Sequence, residues 1–208
     1  MAYASARFTR PFAVLALLAL AFPLAGCGIN NIPTYEQGAK AAWSEVLNQY
    51  KRRADLIPNL VETVKGFAAQ ERTVLTEVVE ARAKATQVQA NIPSDILTNP
   101  AAMQKFQEAQ SQLGGALGRL LAVVERYPDL KSGQNFLALQ SQIEGTENRI
   151  AIARRDYINA VRVYNTELTT FPGRLWRGFL YPSSKEMATF DVAADEMKTP
   201  KVDFGTQK

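Results

Sequence analysis

The chain has 208 residues, of which 47% are hydrophobic and 21% charged, and it carries a net charge of +4. That is an ordinary globular composition, which excludes wholesale disorder. It contains no histidine and one cysteine, which excludes an internal disulfide, Ser-His-Asp and Cys-His catalysis, HExxH zinc sites and Glu-x-x-His di-iron sites.

Residues 1–26 read as an export signal. Arg7 and Arg10 form a short positive region, and Pro11 to Gly26 then carries no charge around a dense apolar core. The stretch is shorter than the ~20 apolar residues a lasting transmembrane helix needs, and it suits a signal peptide. It ends in Leu24-Ala25-Gly26-Cys27, small residues before the lone cysteine with a leucine three before it, which is the bacterial lipobox pattern. Cys27 is therefore expected to take a diacylglyceryl group on its thiol, with cleavage before it and acylation of the new amine. The competing reading is an uncleaved signal anchor with an incidental cysteine. Each buried methylene contributes about 0.8 kcal/mol, so one chain holds weakly and two or three hold firmly. Loss of Arg7 and Arg10 lowers the net charge to +2, too mild to imply a nucleic-acid partner. Gly28 rather than an aspartate follows the cysteine, which leans sorting toward the periplasmic leaflet of the outer membrane in a host with two membranes.

Residues 27–33 read as a tether. From Thr34 to about Ala90 the pattern is helical: Trp43, Leu47, Tyr50, Ala54, Ile57, Val61, Val64 and Ala68 recur in steps of three and four, with Val46 and Leu60 widening the stripe. Pro58 removes a backbone donor, so a kink is expected there, and Gly66 is a second soft spot. Asn99-Pro100 is a helix start signal. The second helix is expected to run to about Tyr127 with a Phe106/Leu113/Leu117/Leu120/Val124 stripe that Gln110 interrupts, and with Gly114, Gly115 and Gly118 allowing close backbone approach. Pro128 stops it. The third runs from about Gln134 to Thr170 on Phe136, Leu139, Ile143, Thr146, Ile150, Ala153, Tyr157, Ala160 and Tyr164. No alternating strand pattern occurs. The fold class is all-α: an elongated antiparallel helical bundle of three long helices plus a shorter fourth element, supplied by a break in the first helix or by the C-terminal segment. The bundle occupies 34–171, and 172–208 form an amphipathic segment and a loose tail.

Gln49 to Ala68 (QYKRRADLIPNLVETVKGFA), Glu80 to Ala85 (EARAKA), and LGRLLAVVERYPDLKSGQNF and IEGTENRIAIARRDYINAVRVYN within 117–165 closely resemble the LemA family of bacterial envelope proteins. The Lys201-Val202-Asp203-Phe204 ending is similar too. The resemblance covers nearly all of the chain beyond the signal. It implies a helical bundle held at a membrane by its N-terminus, and it supplies no catalytic residues and no agreed activity. The chain departs from many members, which resemble proteins held by an uncleaved transmembrane helix, in its lipobox, and again at Val163, where a polar residue is common.

Two polar faces stand opposite the apolar stripes. On the first helix Glu45, Arg52 and Asn59 repeat every seven residues beside Asp55 and Glu62; on the third, Ser141, Asn148, Arg155 and Arg162 do so beside Glu144. Such faces are solvated surfaces with weak charge pairs, or docking surfaces for an envelope protein or a second copy of the chain. Arg53 lies at the margin of its stripe. The basic aromatic segment holding Arg174, Trp176, Arg177 and Phe179 either caps the bundle end or rests on lipid headgroups. The leading expectation is a lipid-anchored, non-enzymatic scaffold or adaptor without cofactor or metal; a membrane-surface lipid-binding or membrane-shaping protein is the alternative. Glu144 and Glu147, three apart on one helix, are the weak case for acid-base chemistry.

Overall fold

The computed structural model describes residues 28–190, and every structural statement below concerns these. Six helices follow in order: α1 Asn31–Phe67, α2 Arg72–Ala90, α3 Pro100–Val124, α4 Pro128–Lys131, α5 Gln134–Thr169 and α6 Gly173–Phe179, with a 3-10 turn at Ile96–Thr98 before α3. No strand occurs among the described residues, so the chain is all-α. The signal, Cys27 and the ending at 201–204 lie outside the described residues.

The helices form an up-and-down bundle. Trp43 meets Tyr157 and Arg53 meets Glu147, which sets α5 antiparallel along α1. Arg82 and Gln89 reach the Ala54 and Leu47 carbonyls, which folds α2 back on α1. Glu77 and Arg119 pair α2 with α3, again antiparallel. At 37 residues, α1 is about 55 Å long.

Three expectations change. The long first helix continues past Pro58 and breaks at residues 68–71, just after Gly66, where the Ala68 N–H closes on the Val64 carbonyl and Glu71 N–H on Ala68. Proline leaves the carbonyl four residues before it without a donor. That carbonyl belongs to Ala54, and Arg82 Nε donates to it at 2.8 Å. The break makes α2 the fourth packed helix. Secondly, the glycines of α3 do not bring backbones together: a Cβ at Gly114 or Gly118 would meet nothing within 4 Å, and one at Gly115 only the Arg119 side chain. Thirdly, neither end of the bundle is as loose as its composition suggests. The tether is helical from Asn31, with Ile32 fully buried, because the α1 stripe extends further toward the N-terminus than the Trp43 anchor indicates. The stretch 183–190 is a packed strap that buries Met187 and Phe190.

The core has two compartments. One is aromatic, built on Trp43, Tyr50, Phe106, Tyr157, Tyr164 and Phe190 from α1, α3, α5 and the strap. The other is largely aliphatic, built on Ile57, Leu60, Val64, Val78, Leu113, Leu120, Leu130 and Phe136. Between them lie the buried polar side chains Arg53, Gln110 and Thr146.

Candidate functional site: two polar flanks and a basic, apolar bundle end

The polar layer comes from positions where the apolar stripes are interrupted. Arg53 Nη1 donates to Glu147 Oε1 at 2.8 Å, and Nη2 to the Gln110 side-chain and backbone oxygens at 2.7 and 3.2 Å. The guanidinium also lies 5.1 Å from the Tyr50 ring centroid. One residue on α1 thereby fixes the positions of α3 and α5. Glu147 is thus a structural partner of an arginine. Glu144 is exposed and accepts from Gln140.

The sequence-predicted flank residues are all exposed: Arg52, Asp55, Asn59 and Glu62 on α1, and Asn148, Arg155 and Arg162 on α5. Their charge pairs are loose, Glu62 with Lys65 at 3.5 Å and Arg155 with Asp156 at 3.4 Å, and pairs of this kind contribute only a few tenths of a kcal/mol, ~0.5 at most. The Arg53–Glu147 contact puts Arg52 and Asn148 at one level of the bundle. Asn59 and Glu62 lie toward one end from there, and Arg155 and Arg162 toward the other. The two faces therefore overlap only around Arg52 and Asn148 and do not converge on one spot.

At the bundle end, α2 stops level with Leu47. The first turns of α1 project past it, packed on α5 and α6. Gly28, with φ of +94°, turns the chain into α1; a Cβ there would stand 3.4 Å from Pro172. Asn31 Nδ2 donates to Glu167 Oε1 at 3.2 Å. Gly173 lets α6 fold directly onto the end of α5, since a Cβ at that position would come 2.1 Å from the Glu167 carbonyl oxygen.

This arrangement splits the predicted membrane-contact residues. Trp176 is half-buried and joins the aromatic core, so it caps the bundle. Arg177 is half-buried and reaches Glu186 at 3.9 Å. Arg174 and Phe179 point outward, Phe179 with 82% of its surface exposed.

Sequence reasoning missed how the strap is held. Asn165 brackets Met187, its Nδ2 donating to the Met187 carbonyl and its Oδ1 accepting the Met187 N–H, both at 2.9 Å. The Ala188 N–H donates to the Leu97 carbonyl at 2.6 Å, and the Tyr157 hydroxyl to the Ala188 carbonyl at 2.7 Å. Phe190 then packs edge-on against Tyr157 and at a tilt against Trp43, with Arg154 over its ring. Asn165 and Tyr157 stand in the segment that carries the family resemblance, and that was the available signal.

These features define a class: an all-helical, up-and-down bundle with a filled interior whose distinctive chemistry is on its flanks and at one end. Residues 42–204 match the LemA family, and the chain belongs to that family. It is similar to magnetosome proteins MamQ 1 and MamQ 2 of Paramagnetospirillum magneticum, 27% identical over 157 residues, covering 69% of this chain and 58% of each relative. It is also similar to protein LemA of Metamycoplasma hominis, 24% identical over 121 residues, covering 58% of this chain and 50% of that one. The chain thus spans a little over half the length of the MamQ relatives and half of the LemA relative.

Proposed function

We propose that this chain is a lipid-anchored protein of the bacterial cell envelope, acylated at Cys27, whose bundle is a non-enzymatic scaffold or adaptor for other membrane proteins. The observation that carries this reading is where the bundle begins. Gly28 immediately follows the lipobox cysteine, and helix starts at Asn31 with Ile32 fully buried. An acylated Cys27 leaves almost no slack between lipid and folded body. No described helix is long and apolar enough to cross a membrane. The long flanks carry exposed Arg52, Asp55 and Asn59, and Arg155 and Arg162, spaced for side-on contact with another helix.

The test is in-cell photo-crosslinking from positions 52 and 155, followed by mass spectrometry. The expected result is a defined envelope protein, or a second copy, whose capture from position 52 is lost on Asp55→Arg, or whose capture from position 155 is lost on Arg162→Glu. If neither flank captures a protein in a charge-dependent way, the adaptor reading fails. Intact mass of the purified chain reads the anchor separately: an unmodified Cys27 overturns it.

A further inference from the structure

We infer that the end of the bundle formed by the α5–α6 corner is a docking surface for an acidic phospholipid bilayer, with Phe171, Phe179 and Leu180 entering the interface and Arg174 and Arg177 meeting headgroup phosphates. It rests on the reading that an acylated Cys27 holds the chain to a membrane, and it adds a second point of contact that the anchor alone does not require.

Three independent observations point there. The first is where apolar surface is left uncovered. Among the described residues the two most exposed large hydrophobic side chains are Phe171 and Phe179, both 82% exposed, against 53% for the next, Phe67. Leu175 and Leu180, at 47% and 50%, lie in the same ten-residue stretch. The other exposed hydrophobics, such as Val79, Leu137 and Ile152, are dispersed along the flanks. Scattered single residues are normal on a protein surface, whereas a cluster of aromatic and aliphatic side chains rimmed by charge marks an interaction site.

The second is the charge and shape beside that cluster. Leu168, Thr169, Arg174, Arg177, Gly178 and Pro182 line an open cleft of about 510 Å³ between the end of α5 and α6. Arg174 makes no ion pair among the described residues, and Arg177 has only the 3.9 Å contact to Glu186. Two guanidinium groups on one rim, next to exposed aromatic rings, match a phosphodiester layer above acyl chains. Aromatic rings favour the same depth, where an apolar body meets polar headgroups.

The third is position. Gly28 lies against Pro172, one residue from Phe171 and two from Arg174. Cys27 is the residue before Gly28 and so attaches to the bundle at this corner. A chain held by acyl groups on Cys27 brings this end of the bundle, and not the α4 end, to the bilayer.

The test uses the full-length chain reconstituted in vesicles of phosphatidylglycerol in phosphatidylcholine, and of phosphatidylcholine alone. Nitroxide labels are placed at F171C, F179C and, as a distal control, L137C. The unsubstituted chain reports any label taken up by Cys27. Since all three positions are exposed, circular dichroism is expected to stay unchanged. With acidic lipid, labels at 171 and 179 should shift to high oxygen and low nickel-chelate accessibility while 137 stays water-accessible. The R174Q/R177Q pair should lose that immersion in acidic vesicles. Labels at 171 and 179 as water-accessible as 137, on protein that stays with the vesicles and carries a lipidated Cys27, overturn this inference and leave the anchor intact. Full immersion that R174Q/R177Q does not change overturns the assignment to acidic lipid. An unlipidated Cys27 with immersed labels overturns the anchor reading alone.

Discussion

Replacing Arg82 with alanine removes the side chain that reaches the Ala54 carbonyl, the acceptor orphaned by Pro58. An unsatisfied, partly buried carbonyl costs about 1–2 kcal/mol. Arg82→Ala should therefore lower stability by about that much in urea unfolding, and by clearly less in a Pro58→Ala background, where a backbone N–H is again available. Equal losses in both backgrounds would refute the pairing. The proline was legible in the sequence, yet its connection to Arg82 was not: periodicity gives a residue's face on its own helix and says nothing about register against the next. The same holds for Arg53, Gln110 and Glu147. Gln110 was visible as an interruption and Arg53 as a margin, and only the packed bundle joins them with Glu147 into a layer that ties α1 to α3 and α5. The flank residues were the opposite case. Exposure follows from helix geometry alone, and all seven are exposed as that geometry requires.

At the scale of elements, the starts of α3 and α5 and the end of α5 fall where their punctuation put them. Asn99 caps α3 through the Ala102 N–H with Pro100 behind it. The division of the first helix did not follow its strongest signal, because a compensated proline is tolerated while the turn at 68–71 leads into a helix that can close the core. The strap was illegible for a different reason. Two apolar side chains without periodicity give no pattern, and backbone bonds to Asn165 and Leu97 carry much of its attachment. Removing the Phe190 ring should expose its weight: Phe190→Ala is expected to destabilise by about 3 kcal/mol, within the range for emptying an aromatic core site. It should also hasten limited proteolysis near Met187. An unchanged unfolding midpoint would mean that the strap only lies on the bundle.

For the whole molecule, the buried tyrosines shape the alkaline pH response. With no histidine in the chain, no imidazole titrates near neutrality. Burial holds the Tyr50, Tyr157 and Tyr164 hydroxyls above their ordinary value of 10.0. The folded chain thus keeps protons that the unfolded chain releases once pH passes 10. This contribution is fully present below that value and declines as pH rises beyond it. Urea midpoints should be steady from about pH 6 to 9 and fall above about pH 10; a midpoint that holds through the tyrosine range would show that these hydroxyls ionise in place.

The pairing of α1 with α5 also decides how the molecule would bear force. The N-terminal segment joins α1 at Gly28, and α1 then lies antiparallel on α5 from Ile32 past Glu147's partner Arg53. Tension drawn out through that segment while something grips the α5 flank would pull α1 lengthwise along its neighbour. The interface would then be loaded in shear, with its interlocked side chains and the Arg53 contacts strained together rather than peeled apart in turn.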